Sequence, residues 1–286
     1  MKIVIYGARG VPAKWSGFDT FITQLAPRLV EKGHTVVAFC QPKYTDAEYH
    51  KAYKGVRIIM LPTIYGKFTE TVIHEILSSI YSLFMRDIDI MYVLGCRTVW
   101  AYLPHKLLGR TIVINTDGQD GVRRKWGPIS RLYLRFNYWL ARQMSDYLIS
   151  DAKELKNYYL EHHNKETAFL TNGGFIVADL DEGILAEYDL IQNGYYLVAC
   201  RMEPENNIDI IIREFEQTDV DAKLVIAGGA NYKSRYYQSL KQTSDPRIVF
   251  LGPVYTSNHI ETLHLHARGY LHGHEVGGTN PSLFKA

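Results

Sequence analysis

The chain alternates short apolar runs with helix-spaced segments, breaks that rhythm once between Asn172 and Gly194, and then resumes it. A strand can lie parallel to its predecessor only after a crossover, so this alternation builds a parallel sheet covered on both faces by helices. Ile3–Tyr6 is an apolar run that stops at Gly7. Phe18, Phe21, Ile22, Leu25 and Leu29 then recur on one helical face, with Ser16 as N-cap, Asp19 in the first turn and Lys32-Gly33 at the close. Further strands are predicted at Thr35–Phe39, Arg57–Leu61, Ile90–Leu94, Thr111–Ile114, Tyr147–Ile149 and Ala168–Leu170. Helices are predicted at Thr71–Met85, Ser130–Met144 and Ala152–Glu161.

After the acidic, aperiodic break, strands are predicted at Tyr195–Cys200, Ala222–Ala227, Arg247–Leu251 and Gly269–Leu271. Helices are predicted at Ile208–Phe215, near Tyr232–Lys241 and at Thr256–His264. The expected architecture is α/β, with two Rossmann-like domains facing across a cleft. The first spans 1–171, a linker spans 172–194, and a partial second domain spans 195–286, reaching Ala286 as a further helix starts. At 286 residues the chain is long enough for two cores.

Composition removes several function classes. The formal charge of +2 argues against a nucleic-acid partner. Cys40, Cys96 and Cys200 are too scattered for a C-x-x-C site and fit a reduced, cytoplasmic protein. The apolar segment Ile76–Met85 is too short to span a bilayer, so any membrane contact is expected from the surface. Residues 123–142 suit such contact with the inner face of an anionic membrane: Arg123, Arg124, Lys125, Arg131, Arg135 and Arg142 interleave with Trp126, Tyr133, Phe136, Tyr138 and Trp139, and no acid stands among them. A plain core helix with a solvated basic face explains the same pattern.

The first turn, Gly7-Ala8-Arg9-Gly10, is spaced G-x-x-G rather than G-x-G-x-x-G, and the second strand ends Phe39-Cys40-Gln41 with no carboxylate for a ribose. Both features disfavour NAD. The turn remains able to bring N–H groups to an anion or sugar, or to be a tight turn and nothing more. Asp117, in Asn115-Thr116-Asp117-Gly118, stands at the carboxyl end of a strand, where it can bind sugar hydroxyls or act as a base; an Asp-Gly pair is also an ordinary turn. Arg201, in Arg201-Met202-Glu203-Pro204-Glu205-Asn206-Asn207, can neutralise a diphosphate or form a structural ion pair.

His264-x-His266 and His272-x-His274 invite a metal reading, because alternate strand residues share a face, yet no carboxylate or cysteine cluster accompanies them. A polar pocket is the better expectation. Gly277-Gly278-Thr279-Asn280-Pro281-Ser282 reads as a loop entering a helix, where N–H groups and the Thr279 and Ser282 hydroxyls can cradle phosphate.

Five stretches in order, GARGVPAKWSGFDTF, NTDG with its following KWG, YYLVACRMEPENNIDIII, VFLGPVY and HGHEVGGTNPSL, resemble GT-B glycosyltransferases of family 4, in the branch related to bacterial rhamnosyltransferases. The resemblance implies retaining, metal-independent transfer of a sugar from a nucleotide-diphosphate donor, dTDP-rhamnose among the candidates, to a lipid-linked saccharide in surface polysaccharide synthesis. It implies no cofactor. Asp117 and Arg201 would be catalytic, with Arg201 stabilising the leaving diphosphate. Gly10, Glu203, Asn206, Gly252, Val254, His274, Gly277, Gly278, Thr279, Asn280 and Ser282 would serve the donor. Arg9, Gly17, Asp117 and Gly118 would face the acceptor.

The sequence departs from that family at two places. A lysine common a few residues after the arginine is replaced here by Asn206-Asn207. The second glutamate of the family's two-glutamate motif falls at Lys285, which cannot accept hydrogen bonds from a ribose, while the first falls near Gly277, with Glu275 out of register. An inactive remnant or a non-catalytic binding module of the same lineage is the alternative these departures raise.

Overall fold

The computed structural model describes all residues except Trp15, Lys67, Asp117, 119–125, Asn172, 174–182, 231–233, Tyr255, Ser257, 276–279, Pro281 and 284–286. The described residues up to Thr171 form one compact unit and those from Gly173 onward a second.

The first unit contains β1 (Lys2–Tyr6), α1 (Gly17–Glu31), β2 (Thr35–Cys40), β3 (Ala52–Tyr53), β4 (Val56–Met60), α2 (Thr69–Leu83), β5 (Ile90–Leu94), α3 (Leu103–Leu107), β6 (Thr111–Asn115), α4 (Pro128–Met144), β7 (Tyr147–Ser150), α5 (Lys153–His163) and β8 (Ala168–Phe169). Its eight strands run in the order β3-β4-β2-β1-β5-β6-β7-β8. All neighbours are parallel except the edge pair β3–β4.

Alternation of side chains along β1 explains why the strands read as unbroken apolar runs. Val4 and Tyr6 enter the core on one face, and Ile3 and Ile5 enter the core on the other. Truncating a wholly buried residue such as Ile5 to alanine would cost about 2–5 kcal/mol. Helix α1 begins as its sequence dictates: the Ser16 hydroxyl accepts from the Asp19 N–H, and the Asp19 carboxylate accepts from the Ser16 N–H in return.

Helix α2 is built the other way round from an ordinary amphipathic helix. Its buried positions include His74, Glu75, Ser78, Ser79 and Ser82, while Ile80 is exposed. The inward hydroxyls are used: Ser79 donates to the Ala101 carbonyl and Ser82 to that of Ser79. The Arg110 guanidinium closes the helix by donating to the carbonyls of Ser82 and Met85, both at 2.8 Å.

The second unit contains α6 (Gly183–Ala186), β9 (Tyr195–Ala199), α7 (Ile208–Glu216), β10 (Lys223–Ala227), α8 (Arg235–Leu240), β11 (Ile248–Gly252), α9 (His259–Leu265) and β12 (Gly269–Tyr270). Its parallel sheet has the order β11-β10-β9-β12. Val198, Leu224 and Ile226 face one core, and Leu197, Val225 and Ala227 face the other. Leu185 and Leu190, within the stretch read as linker, pack into this second core.

Each sheet reverses its winding direction once. In the first unit later strands add on opposite sides of the β1–β5 pair, and in the second β10 and β11 add on one side of β9 and β12 on the other. At such a switch point the loops leaving two adjacent carboxyl ends diverge and open a crevice. The two crevices therefore lie at the loops after β1 and β5, and at those after β9 and β12.

Candidate functional site

In the first unit the β1 loop is held tightly from behind. Gly7 has φ +87, and a Cβ there would lie 2.5 Å from the Leu94 carbonyl at the end of β5. Gly10 is buried, with Tyr44 backbone so close that any side chain is excluded. Part of the expected N–H cradle is already used within the chain: the Asp19 carboxylate accepts from the Arg9 N–H at 2.8 Å. Burial pushes the Asp19 carboxyl above its ordinary range, and the Arg9 N–H and guanidinium partly offset this.

Arg9, expected at the acceptor, directs its Nε to Glu70 at 3.1 Å. The Tyr44 hydroxyl donates to the same carboxylate, and burial together with Glu70 pushes the Tyr44 phenol up to about 12. Gly17 opens α1 and is exposed. The Gly118 carbonyl accepts from the Tyr138 hydroxyl at 2.8 Å. Asp117 lies outside the described residues.

In the second unit the loops after β9 and β12 are tied to each other. Arg201 is exposed directly beyond β9, and its carbonyl accepts from Asn206 Nδ2 at 2.7 Å. Glu203, Glu205 and Asn206 are buried beneath it. Asn207 adopts φ 52, a left-handed conformation that asparagine tolerates. Its Nδ2 donates to the Gly273 carbonyl at 2.9 Å and to Glu275 Oε1 at 3.0 Å. The Glu275 N–H donates to the Glu205 carbonyl. The loop carrying Arg201 and the loop entering the 275–282 segment thus form one surface.

On that surface the rings of His272 and His274 stack at 4.2 Å, nearly parallel. His274 Nε2 and Asn280 Nδ2 are 2.9 Å apart, and the Ser282 N–H donates to Asn280 Oδ1. The expectation that His272 and His274 share a face on a strand needs correcting, since β12 ends at Tyr270. They meet as a stack in the loop beyond it. Among the described residues no three His, Cys, Asp or Glu side chains gather as metal ligands. Gly277, Gly278 and Thr279, as well as Lys285, lie outside the described residues.

Gly252 ends β11 with φ 73, and its carbonyl accepts from the Gly228 N–H at 2.7 Å. The Val254 side chain packs into the core, which leaves only main-chain groups of this stretch for a ligand. Burial pushes the Cys200 thiol up to about 12, so it is no nucleophile. Two residues went unnoticed in the sequence: Gly273, where a Cβ would meet the Asn206 carbonyl at 2.6 Å, and Gly228, where one would collide with Cys200 backbone. Gly228-Gly229 directly after an apolar strand is the same signal as Gly7 after β1.

A family model described as Domain of unknown function (DUF1972) matches residues 1–175. No curated protein matches the chain in sequence. Solved structures match it in fold. Sucrose-phosphate synthase from Thermosynechococcus elongatus superposes with a TM-score of 0.68 at 14% identity, over 94% of this chain and 74% of that one. Anabaena HepE in complex with UDP and glucose gives 0.64 at 15% identity, over 95% and 74%. UDP-GlcNAc 2-epimerase from Methanocaldococcus jannaschii gives 0.57 at 19% identity, over 94% and 78%. The α/β architecture is that of GT-B glycosyltransferases.

Proposed function

The chain belongs to the DUF1972 family, and from its fold and loop chemistry we propose that it is a glycosyltransferase of the family 4 type, in the rhamnosyltransferase branch. In this reading it moves a sugar from a nucleotide diphosphate to a lipid-linked saccharide acceptor during surface polysaccharide synthesis. The observation that carries the proposal is the joined surface at the β9–β12 switch point, where the loop bearing the exposed Arg201 is hydrogen-bonded through Glu205 and Asn207 to the loop that carries Gly273, His274 and Glu275.

The chemistry needs what that surface offers. As the glycosidic bond to the diphosphate breaks, negative charge grows on the leaving oxygen while the sugar becomes oxocarbenium-like. Arg201 meets that charge with a fixed cation. Glu203, Asn206, Gly252, Val254 and the 277–282 stretch hold the rest of the donor, largely through main-chain groups. Gly17, Asp117 and Gly118 serve the acceptor from the first unit, where Arg9 is engaged by Glu70 and Gly10 is enclosed by the Tyr44 backbone. The transfer is retaining and needs no metal.

Titration calorimetry with UDP and with dTDP tests the reading. One of them binds saturably, and Arg201→Ala weakens it by about 10–100-fold, the loss of one charge-assisted contact of roughly 1.5–3 kcal/mol. Absence of binding by either nucleotide would falsify the proposal. The likeness to the 2-epimerase supports a second reading, in which a nucleotide sugar is rearranged and not transferred. Products separate the two: a new glycoside on the acceptor for transfer, an epimeric sugar without acceptor for the other.

A further inference from the structure

Helices α2, α3 and α4 form one layer over a single face of the first sheet. The turn Val99–Tyr102 and α3 sit between the other two: Ser79 of α2 donates to Ala101, Trp100 Nε1 donates to the Tyr133 hydroxyl of α4 at 2.8 Å, and Lys106 of α3 pairs with Asp146 just beyond α4. The outer surface of this layer is apolar to an extent its inner chemistry does not require. Phe84 is 84% exposed, Leu107 88%, Ile129 87% and Leu132 70%. Phe136 and Trp139 are each 48% exposed and stack on one another at 6.0 Å.

Two features decide what such a surface faces. Helix α2 turns serines, a histidine and two glutamates inward and leaves Ile80 outside. Core packing alone would favour the reverse, because burying a polar group costs free energy and burying an isoleucine releases it. The charge is also one-sided. Arg131 and Arg135 are exposed among the apolar side chains of α4, and neither α3 nor α4 carries an acidic residue. Exposed aliphatic and aromatic side chains interleaved with arginine, with no acid between them, complement an anionic lipid surface.

We propose that the outer face of α2–α3–α4 docks the protein onto an anionic bilayer. Leu132, Phe136 and Trp139 enter the headgroup–acyl boundary while Arg131 and Arg135 pair with lipid phosphates. No helix among the described residues is long and apolar enough to cross a membrane, so the contact is interfacial. The inference does not depend on sugar transfer, and its test uses neither donor nor acceptor.

Flotation of the full chain with phosphatidylcholine vesicles, and with vesicles containing three parts in ten phosphatidylglycerol, is the experiment. The protein floats with the anionic vesicles and is released by raising the salt. Leu132→Glu with Trp139→Glu abolishes flotation. Arg131→Gln with Arg135→Gln, which keeps the apolar face, weakens it by about 10–30-fold. Circular dichroism verifies that these surface variants remain folded. Failure to float with anionic vesicles at low salt overturns the proposal, as does flotation that the glutamate pair leaves unchanged. A concentration-dependent dimer that the glutamate pair dissolves, without vesicle binding, overturns it in favour of a second copy of the chain.

Discussion

The Asp19 carboxylate, at the first turn of α1, accepts the backbone N–H of Arg9 at 2.8 Å and that of Ser16 at 3.0 Å. One wholly buried side chain therefore fixes both the glycine turn after β1 and the start of the helix that follows it. Asparagine keeps the shape but has one acceptor oxygen, so Asp19→Asn leaves an amide N–H facing a donor. The expected cost is about 1–3 kcal/mol, read as a lower urea midpoint with an unchanged slope. An unaltered midpoint would show that the carboxylate is not what holds the turn.

Gly228 supplies a second test, in the other unit. Its φ is 142, and a Cβ would lie within bonding reach of the Cys200 carbonyl, directly before Arg201. Alanine at this position must push the β9 loop outward. Gly228→Ala is expected to lower stability by more than about 2 kcal/mol and to weaken nucleotide binding along with it, since Arg201 moves with the loop. Thermal unfolding and calorimetry on the same sample report the two effects. Normal nucleotide affinity in a destabilised variant would separate Arg201 from the donor site.

Much of this architecture was legible from local patterns alone. Ile3–Tyr6 and Tyr195–Cys200 read as strands because buried parallel strands are apolar on both faces, and α1 was marked by Ser16 and Asp19. Other features lie beyond local reading. Helix α3 is five residues of mixed character around Pro104, too short for a period to register. Helix α2 was found, but periodicity identifies two faces without saying which is inward; only the neighbouring Ala101 and Arg110 decide it. The contacts of Asn207 with Gly273 and Glu275 join residues 66 and 68 positions apart. Spacing carries no trace of such a tie, and the asparagine therefore read only as a lysine that was missing.

The start of α7 is closed by a residue from the next helix. The Tyr236 hydroxyl accepts from the N–H groups of Ile208 and Asp209, at 3.0 and 3.2 Å, and donates to the Asp209 carboxylate at 2.6 Å. Tyr236→Phe removes this cap while keeping the ring. A loss of about 1–2 kcal/mol is expected, and hydrogen exchange at the amides of Ile208 and Asp209 should quicken. Exchange as slow as in the parent would mean that another group caps the helix.

The pH dependence of stability should carry the mark of the polar layer beneath α2. Burial pushes the Glu75 carboxyl up to about 8, against the opposing pull of Arg97 and of the neighbouring Thr98 and Tyr102 hydroxyls. Burial holds His74 down to about 4, and His105 likewise to about 4. Between about pH 4 and 6.5 the unfolded chain binds protons at both histidines that the folded chain does not, so stability rises with pH there. Over the range from 4.5 to 8 the folded chain holds a proton on Glu75 that the unfolded chain has released, so this group makes stability fall as pH rises. The two histidines outweigh the one glutamate below about pH 6.5, and the glutamate acts alone above it. These groups therefore place a maximum near pH 6.5, followed by a decline of roughly 2 kcal/mol up to pH 8. Glu75→Gln resembles the protonated acid and should remove that decline while leaving the acid limb in place. Urea unfolding of both proteins from pH 5 to 9 measures it. A parent curve that stays level above pH 6.5, or an equal decline in the glutamine variant, would show that Glu75 ionises freely in the folded protein.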